Sequence, residues 1–362
     1  KYIDEFRNKK PIKKLADKIK EIAPRKNINI MEVCGTHTQS FFRFGLDKLV
    51  PKNLRLIAGP GCPVCVCSQD YIDKAIRIAK IKDTIILTFG DMMRVPGTES
   101  SLEKQRAEGS DIRILYSCLD SLKIAKENPK KKVVFLGVGF ETTAPTIALS
   151  IMRAEKENLK NLFFFSSLKL IPPAMEYLVK DKRLNLDGFL CPGHVSTIIG
   201  TKSYEFILKS YKIGCCVAGF EPLDILEGIY LILQQIIKNK PKVINQYIRV
   251  VTKQGNLKAQ RMISKVFKIC DATWRGLGEI PKSGLGLRDE FSRFDAEIFF
   301  SFNSKLQTPN SKLQKCRCGD ILKGLISPSD CPLFSKVCSP EHPYGPCMVS
   351  SEGACNAYYK YR

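Results

Sequence analysis

Short apolar runs rich in β-branched residues recur along the chain, each followed by a glycine- or proline-bearing loop and then by helical spacing. The runs are Ile28–Val33, Leu54–Ala58, Thr84–Phe89, Ile112–Tyr116, Lys132–Val138, Leu162–Ser166, Gly188–Cys191 and Gly214–Ala218. Alternation of this kind predicts parallel sheets covered by helices. Eight strands in 362 residues exceed one ordinary domain of about 100–200 residues and predict two α/β domains with doubly wound parallel sheets. Asn-Pro and a lysine run interrupt the pattern at Asn128–Lys132, which sets the expected boundary between them. Ahead of the first strand a basic amphipathic helix is expected near Pro11–Ala23. Beyond the last, Pro222–Lys238 and Val243–Lys268 carry the spacing of two long helices, and Trp274–Gly286 reads as a glycine-rich loop.

The pattern stops in the tail. Cys316, Cys318, Cys331, Cys338, Cys347 and Cys355 share that stretch with Pro328, Pro332, Pro340, Pro343 and Pro346. So little apolar periodicity and so much proline cannot bury an independent core, so thiolate–metal bonds are the expected fastening. Four of the six, Cys316, Cys331, Cys338 and Cys355, supply the thiolates that a [4Fe–4S] cluster needs. Structural zinc, which favours paired short hooks, and disulfides are the alternatives.

Charge changes the picture less than it first suggests. Lys and Arg number 58 against 36 acidic residues, a formal charge of +22. The lysines are spread along the chain without interleaved aromatics, which argues for a solvated face and against nucleic-acid binding. No window holds the eighteen or so apolar residues of a membrane span. The chain opens Lys1-Tyr2-Ile3-Asp4-Glu5 without an apolar signal core, so its 15 cysteines are expected to sit in a reducing cytoplasm as metal or redox groups.

Candidate chemistry collects in the loops after strands, the edge of a parallel sheet where ligands bind. Cys34 and His37, three residues apart, could hold a metal together, or be a buried thiol beside a helix-start imidazole. Cys62 and Cys65 form C-x-x-C before a helix opening near Ser68, where the helix N-terminus is expected to lower one thiol pKa and favour dithiol exchange. Cys67 has no evident role. Glu141, His194 and Glu221 sit in small-residue loops that a ligand could approach, although a glutamate there can simply answer the helix dipole. Cys118, Cys215, Cys216 and Cys270 read as core.

Together these loops become recognisable. Met31–Thr38, Gly59–Cys65, Gly139–Thr143, Pro192–Ser196, Gly219–Pro222, Pro281–Arg288 and the tail from Cys316 to Tyr359 resemble the hydrogenase maturation factor HypD family over essentially the whole chain. The resemblance implies a helical segment at 1–30 that packs with the C-terminal domain, α/β domains at 31–130 and 131–300, and a mainly helical or irregular iron–sulfur domain at 301–362. It implies a scaffold that works with a small HypC-type chaperone, takes cyanide from a HypE-type donor and assembles the Fe(CN)2CO unit destined for the large subunit of [NiFe]-hydrogenase. Cys34 and His37 would hold the transient iron, and Cys62 and Cys65 would be the exchanging dithiol. Cys316, Cys331, Cys338 and Cys355 would ligate the cluster, with Cys318 and Cys347 as a relay between cluster and dithiol. Cys67 departs from the family pattern, which leaves open which thiol partners Cys65. A stand-alone [4Fe–4S] thiol–disulfide oxidoreductase is the competing expectation; it has no need of Cys34 and His37.

Overall fold

A computed structural model of the chain describes residues 3–301 and 315–362. All eight expected runs are strands: β1 (Ile28–Glu32), β2 (Leu54–Ala58), β3 (Thr84–Thr88), β4 (Asp111–Ile114), β5 (Lys132–Gly139), β6 (Leu162–Lys169), β7 (Gly188–Pro192) and β8 (Gly214–Ala218). β9 (Val243–Asn245), β10 (Phe267–Trp274) and β11 (Gly278–Leu287) were not foreseen. One sheet has the order β2-β1-β7-β8-β9 and is parallel throughout. The other has the order β10-β11-β6-β5-β3-β4, parallel across β6-β5-β3-β4 and antiparallel where β11 joins β6 and β10. Strands buried on both faces read as unbroken apolar runs, which is why β3, β7 and β8 are legible without alternation.

The expected boundary at Asn128–Lys132 does not separate the sheets. β3 and β5, on either side of it, are paired neighbours, with Thr84 opposite Lys132. Strands β7 to β9 return to extend the sheet that β1 and β2 begin. A parallel crossover can leave a sheet and come back later, and local sequence marks only the turn, not the destination.

Two further expectations give way between 243 and 287. The long helix expected at Val243–Lys268 is the edge strand β9, a connection, and a short helix Leu257–Val266 capped by the Asn256 side chain, which accepts from the Ala259 N–H at 3.0 Å. The glycine-rich loop is mostly the β10–β11 hairpin, pinned to the sheet where Gly284 and Leu285 pair with Lys169 and Leu168. Glycines in β11 blur the alternation that would have marked it. The N-terminal helix Lys9–Ile22 lies chiefly against helix Pro222–Ile237, sharing a buried cluster with the last helix through Ala16, Ile19 and Ala357.

The tail has no core of its own. Cys318, Cys331, Cys338, Cys347 and Cys355 are buried in the same apolar cluster as Met31 and Cys191 of one sheet and Val134 and Phe163 of the other. The boundary expected at 300–301 opens onto 302–314, which lie outside the described residues. Among the described residues no helix is long and apolar enough to cross a membrane.

Candidate functional site

Cys34 leaves the end of β1 as the N-cap of helix Gly35–Arg43. The chain runs from β1 outward to β2 in one direction and from β7 to β8 and β9 in the other, so the β1 and β7 loops flank a topological switch point. His37, fully buried in the first turn, points Nε2 at the carbonyls of Gly219 (2.9 Å) and Ala218 (3.2 Å). Two acceptors fix the proton on Nε2, and burial pulls the pKa down to about 4. Nδ1 therefore carries a bare lone pair, and it is buried without a partner. That is the form in which imidazole ligates a metal.

The Cys34 thiol, three residues earlier at the N-cap, is held in its protonated form. Burial, with the carboxyls of Glu352 and Glu32 nearby, pushes the Cys34 pKa up to about 12. Glu32 accepts from the Cys34 N–H through Oε2 at 2.8 Å and from the Thr38 hydroxyl through Oε1. Its own pKa is pushed up to about 8 by burial. Glu352, from the tail, accepts from Thr36 Oγ1 at 2.7 Å, so the far end of the chain braces this turn. Neither glutamate was foreseen; for Glu32 the signal was an acidic residue ending a largely buried strand.

The dithiol loop is laid directly on Cys34. The Gly35 N–H donates to the Gly61 carbonyl at 3.1 Å, and a Cβ at Gly61 would stand 2.2 Å from the Cys34 nitrogen. Only glycine permits that approach. Helix Gln69–Ala79 opens at Ser68 as expected, with Ser68 Oγ accepting from Tyr71 N–H at 3.3 Å. Cys62 and Cys65, however, lie in the turn before it, and the Cys65 pKa goes up, by burial and by contact with Cys347 and Cys62. The dipole effect acts within the first helical turn and falls short of Cys65, where burial prevails.

The lowered thiol is Cys347. Side-chain hydrogen bonds from Cys318 and Cys65 favour its thiolate. Cys318 is in turn hydrogen-bonded to Cys316. A contiguous series of sulfurs thus runs Cys62, Cys65, Cys347, Cys318, Cys316. It ends in a cavity lined by all six tail cysteines among apolar side chains. Cys338 Sγ there accepts the Tyr344 N–H at 3.3 Å.

The remaining candidates differ in kind. Glu141 is buried, its Oε1 accepting from the Ile171 N–H at 2.9 Å, its Oε2 unpartnered, and its pKa pushed up to about 7 by burial. His194 is exposed and stacks on Phe220 at 4.0 Å; the Phe220 ring is also 4.8 Å from that of His37. Glu221 is paired with Arg7 at 2.5 and 2.9 Å and shares a capping box with Asp224, a structural engagement rather than a free carboxylate. Cys118, Cys215 and Cys216 are buried as expected, whereas Cys270 is partly exposed on β10.

Comparison with known proteins gives one consistent result. The model of the HypD family, described as the hydrogenase formation hypA family, matches residues 10–362. The chain is 46% identical to hydrogenase maturation factor HypD2 of Bradyrhizobium diazoefficiens, with 100% of this chain and 97% of the relative aligned. It is 45% identical to hydrogenase maturation factor HypD of Escherichia coli (100% and 98%) and 43% identical to that of Cupriavidus necator (100% and 97%).

Proposed function

Because the chain belongs to the HypD family of hydrogenase maturation factors, we propose that it is the redox-active scaffold on which the Fe(CN)2CO unit is assembled. The observation that carries this reading is the close approach of Gly61, next to Cys62, to the Cys34 backbone, which lays the start of the sulfur series against the turn that carries the protonated Cys34 thiol and, three residues on, the bare His37 Nδ1. In this reading Cys34 receives the incoming iron as cargo. A thiol with so high a pKa ionises when a cation displaces its proton, so capture is coupled to proton release. His37 Nδ1 offers a second donor. A HypC-type chaperone would complete the grip on the iron and a HypE-type partner would bring cyanide. Both are recognised here through the family resemblance.

The donor types lining the tail cavity support a [4Fe–4S] cluster: Cys316, Cys331, Cys338 and Cys355 would supply its four sulfurs, and the N–H donated to Cys338 is of the kind that steadies a ligating thiolate. When bound, such a cluster supplies single electrons. The polypeptide's own part is thiol exchange. The Cys347 thiolate attacks Cys65 of a Cys62–Cys65 disulfide, forming the Cys347–Cys65 bond and releasing Cys62 as thiolate. Cys318 then attacks Cys347, releasing Cys65, so the disulfide moves to Cys318–Cys347 with no net change in electrons.

Anaerobic preparations in which iron and sulfide are counted, followed by alkylation and mass spectrometry across a redox titration, test this reading. Wild-type protein should contain the cluster and show disulfide on both pairs, and Cys347→Ala should retain iron but confine the disulfide to Cys62–Cys65. Zinc in place of iron, or a Cys62–Cys65 peptide alkylated equally at every potential, would overturn it.

A further inference from the structure

Arg275 sits at the tip of the β10–β11 hairpin. Its N–H donates to the Val66 carbonyl at 2.9 Å, which ties the tip to the residue between Cys65 and Cys67. The next residue, Gly276, has φ +77°, and a Cβ there would stand 2.4 Å from Gly319 Cα, immediately after Cys318. The tip is therefore wedged between the dithiol loop and the start of the cysteine-bearing helix Cys318–Leu322. Arg275 is only 7% exposed, and neither Nη1 nor Nη2 has a hydrogen-bond partner.

A guanidinium stays charged at every physiological pH, so it cannot escape burial by losing its proton. A buried charge is retained where something anionic answers it. Among the described residues no carboxylate forms an ion pair with it; sulfurs feel the Arg275 charge, at Cys67, Cys316 and Cys318. Guanidinium presents its N–H groups as a planar fork suited to an extended anion.

We propose that Arg275 is a positioning residue for the cysteine-lined cavity, donating N–H···S hydrogen bonds to anionic sulfur beside Cys316 and Cys318 and raising the reduction potential of the group held there. The proposal rests on the [4Fe–4S] reading given above. Taking up one electron adds one negative charge to the site, and a fixed buried cation favours the more negative state. Hydrogen bonds to sulfur act in the same direction.

The test is an anaerobic redox titration of the full chain, followed by EPR, with iron and sulfide counted in each sample. Arg275→Gln and Arg275→Met remove the charge. Both should take up iron and sulfide as wild type does, yet show at least a tenfold fall in the reduced-to-oxidised ratio at a fixed potential, about 59 mV for one electron. Arg275→Lys keeps the charge and should stay closer to wild type than either. Neutral variants that fail to retain iron where Arg275→Lys retains it would equally support an electrostatic role. Neutral variants with full iron and an unchanged midpoint would overturn the proposal while leaving the cluster reading intact. So would Arg275→Lys behaving no better than Arg275→Met, the ordering expected of a stem that only packs. Wild-type protein without iron would instead overturn the cluster reading, and this proposal with it.

Discussion

The turn around Cys34 and the series from Cys62 to Cys316 are both thiol sites, joined at Gly61, yet Cys34 and Cys347 shift in opposite directions. At Cys34 burial, reinforced by the carboxyls of Glu352 and Glu32, pushes the thiol pKa up to about 12. Along the series the neighbours are other thiols, and hydrogen bonds from Cys318 and Cys65 bring Cys347 down. Burial alone therefore does not decide what a cysteine does. In the proposed function the sulfur among carboxyls would exchange its proton for a metal, while the thiolate-favoured member of the series would be the attacking group.

The most disruptive way to break the comparison is to force the two sites apart. Gly61→Ala places a methyl group where the Cys34 backbone stands, and such overpacking against main chain should cost about 3 kcal/mol or more. Thermal unfolding should report the loss, and limited proteolysis should show both loops loosened together. If only the dithiol loop becomes sensitive, the sites are less tightly joined than their geometry implies.

Glu32→Gln sharpens the carboxyl half. The folded pKa of Glu32 is raised to about 8 from 4.5, so the native state holds a proton that the unfolded chain has released. Stability from this group is full below the unfolded value and is lost as pH rises through the folded one. The glutamine variant should escape that loss, on the order of 5 kcal/mol, when denaturant midpoints are compared between acid and alkaline pH. His37, lowered to about 4, works the other way: its contribution is full above the unfolded imidazole value and fades as pH falls through about 4. The acid limb should therefore be the same in wild type and variant. Equal alkaline limbs would mean that Glu32 is not held protonated.

Thr36→Val is the smallest probe. It removes the hydroxyl that Glu352 accepts and should cost about 1–2 kcal/mol in denaturant unfolding. Protease sensitivity of the tail should rise more than that of the β5–β6 region; a uniform rise would show that Glu352 does not brace the turn locally.

The strands were legible because buried parallel strands are continuous apolar runs, and β2 and β8 match their expected spans residue for residue. Their assignment to sheets was not, because nothing near Asn128–Lys132 reveals that β7 rejoins β1. The hairpin β10–β11 was hidden by its glycines, and with it Arg275, whose neighbour Gly276 packs against Gly319 far along the chain. Cys34 and His37 were legible as a pair. The free Nδ1 was not, since it follows from two carbonyls on the β8 loop that claim the other nitrogen. Glu352 escaped notice because a tail residue more than three hundred positions away cannot be matched to Thr36 by spacing.

The central claim, that Cys34 is where the iron is held, is tested most directly by infrared spectroscopy of the anaerobic complex with a HypC-type partner. Cys34→Ala should keep the iron and sulfide of the tail cavity and lose the bands of iron-bound cyanide and carbon monoxide. Bands at wild-type intensity in that variant would contradict the claim and place the iron on another ligand.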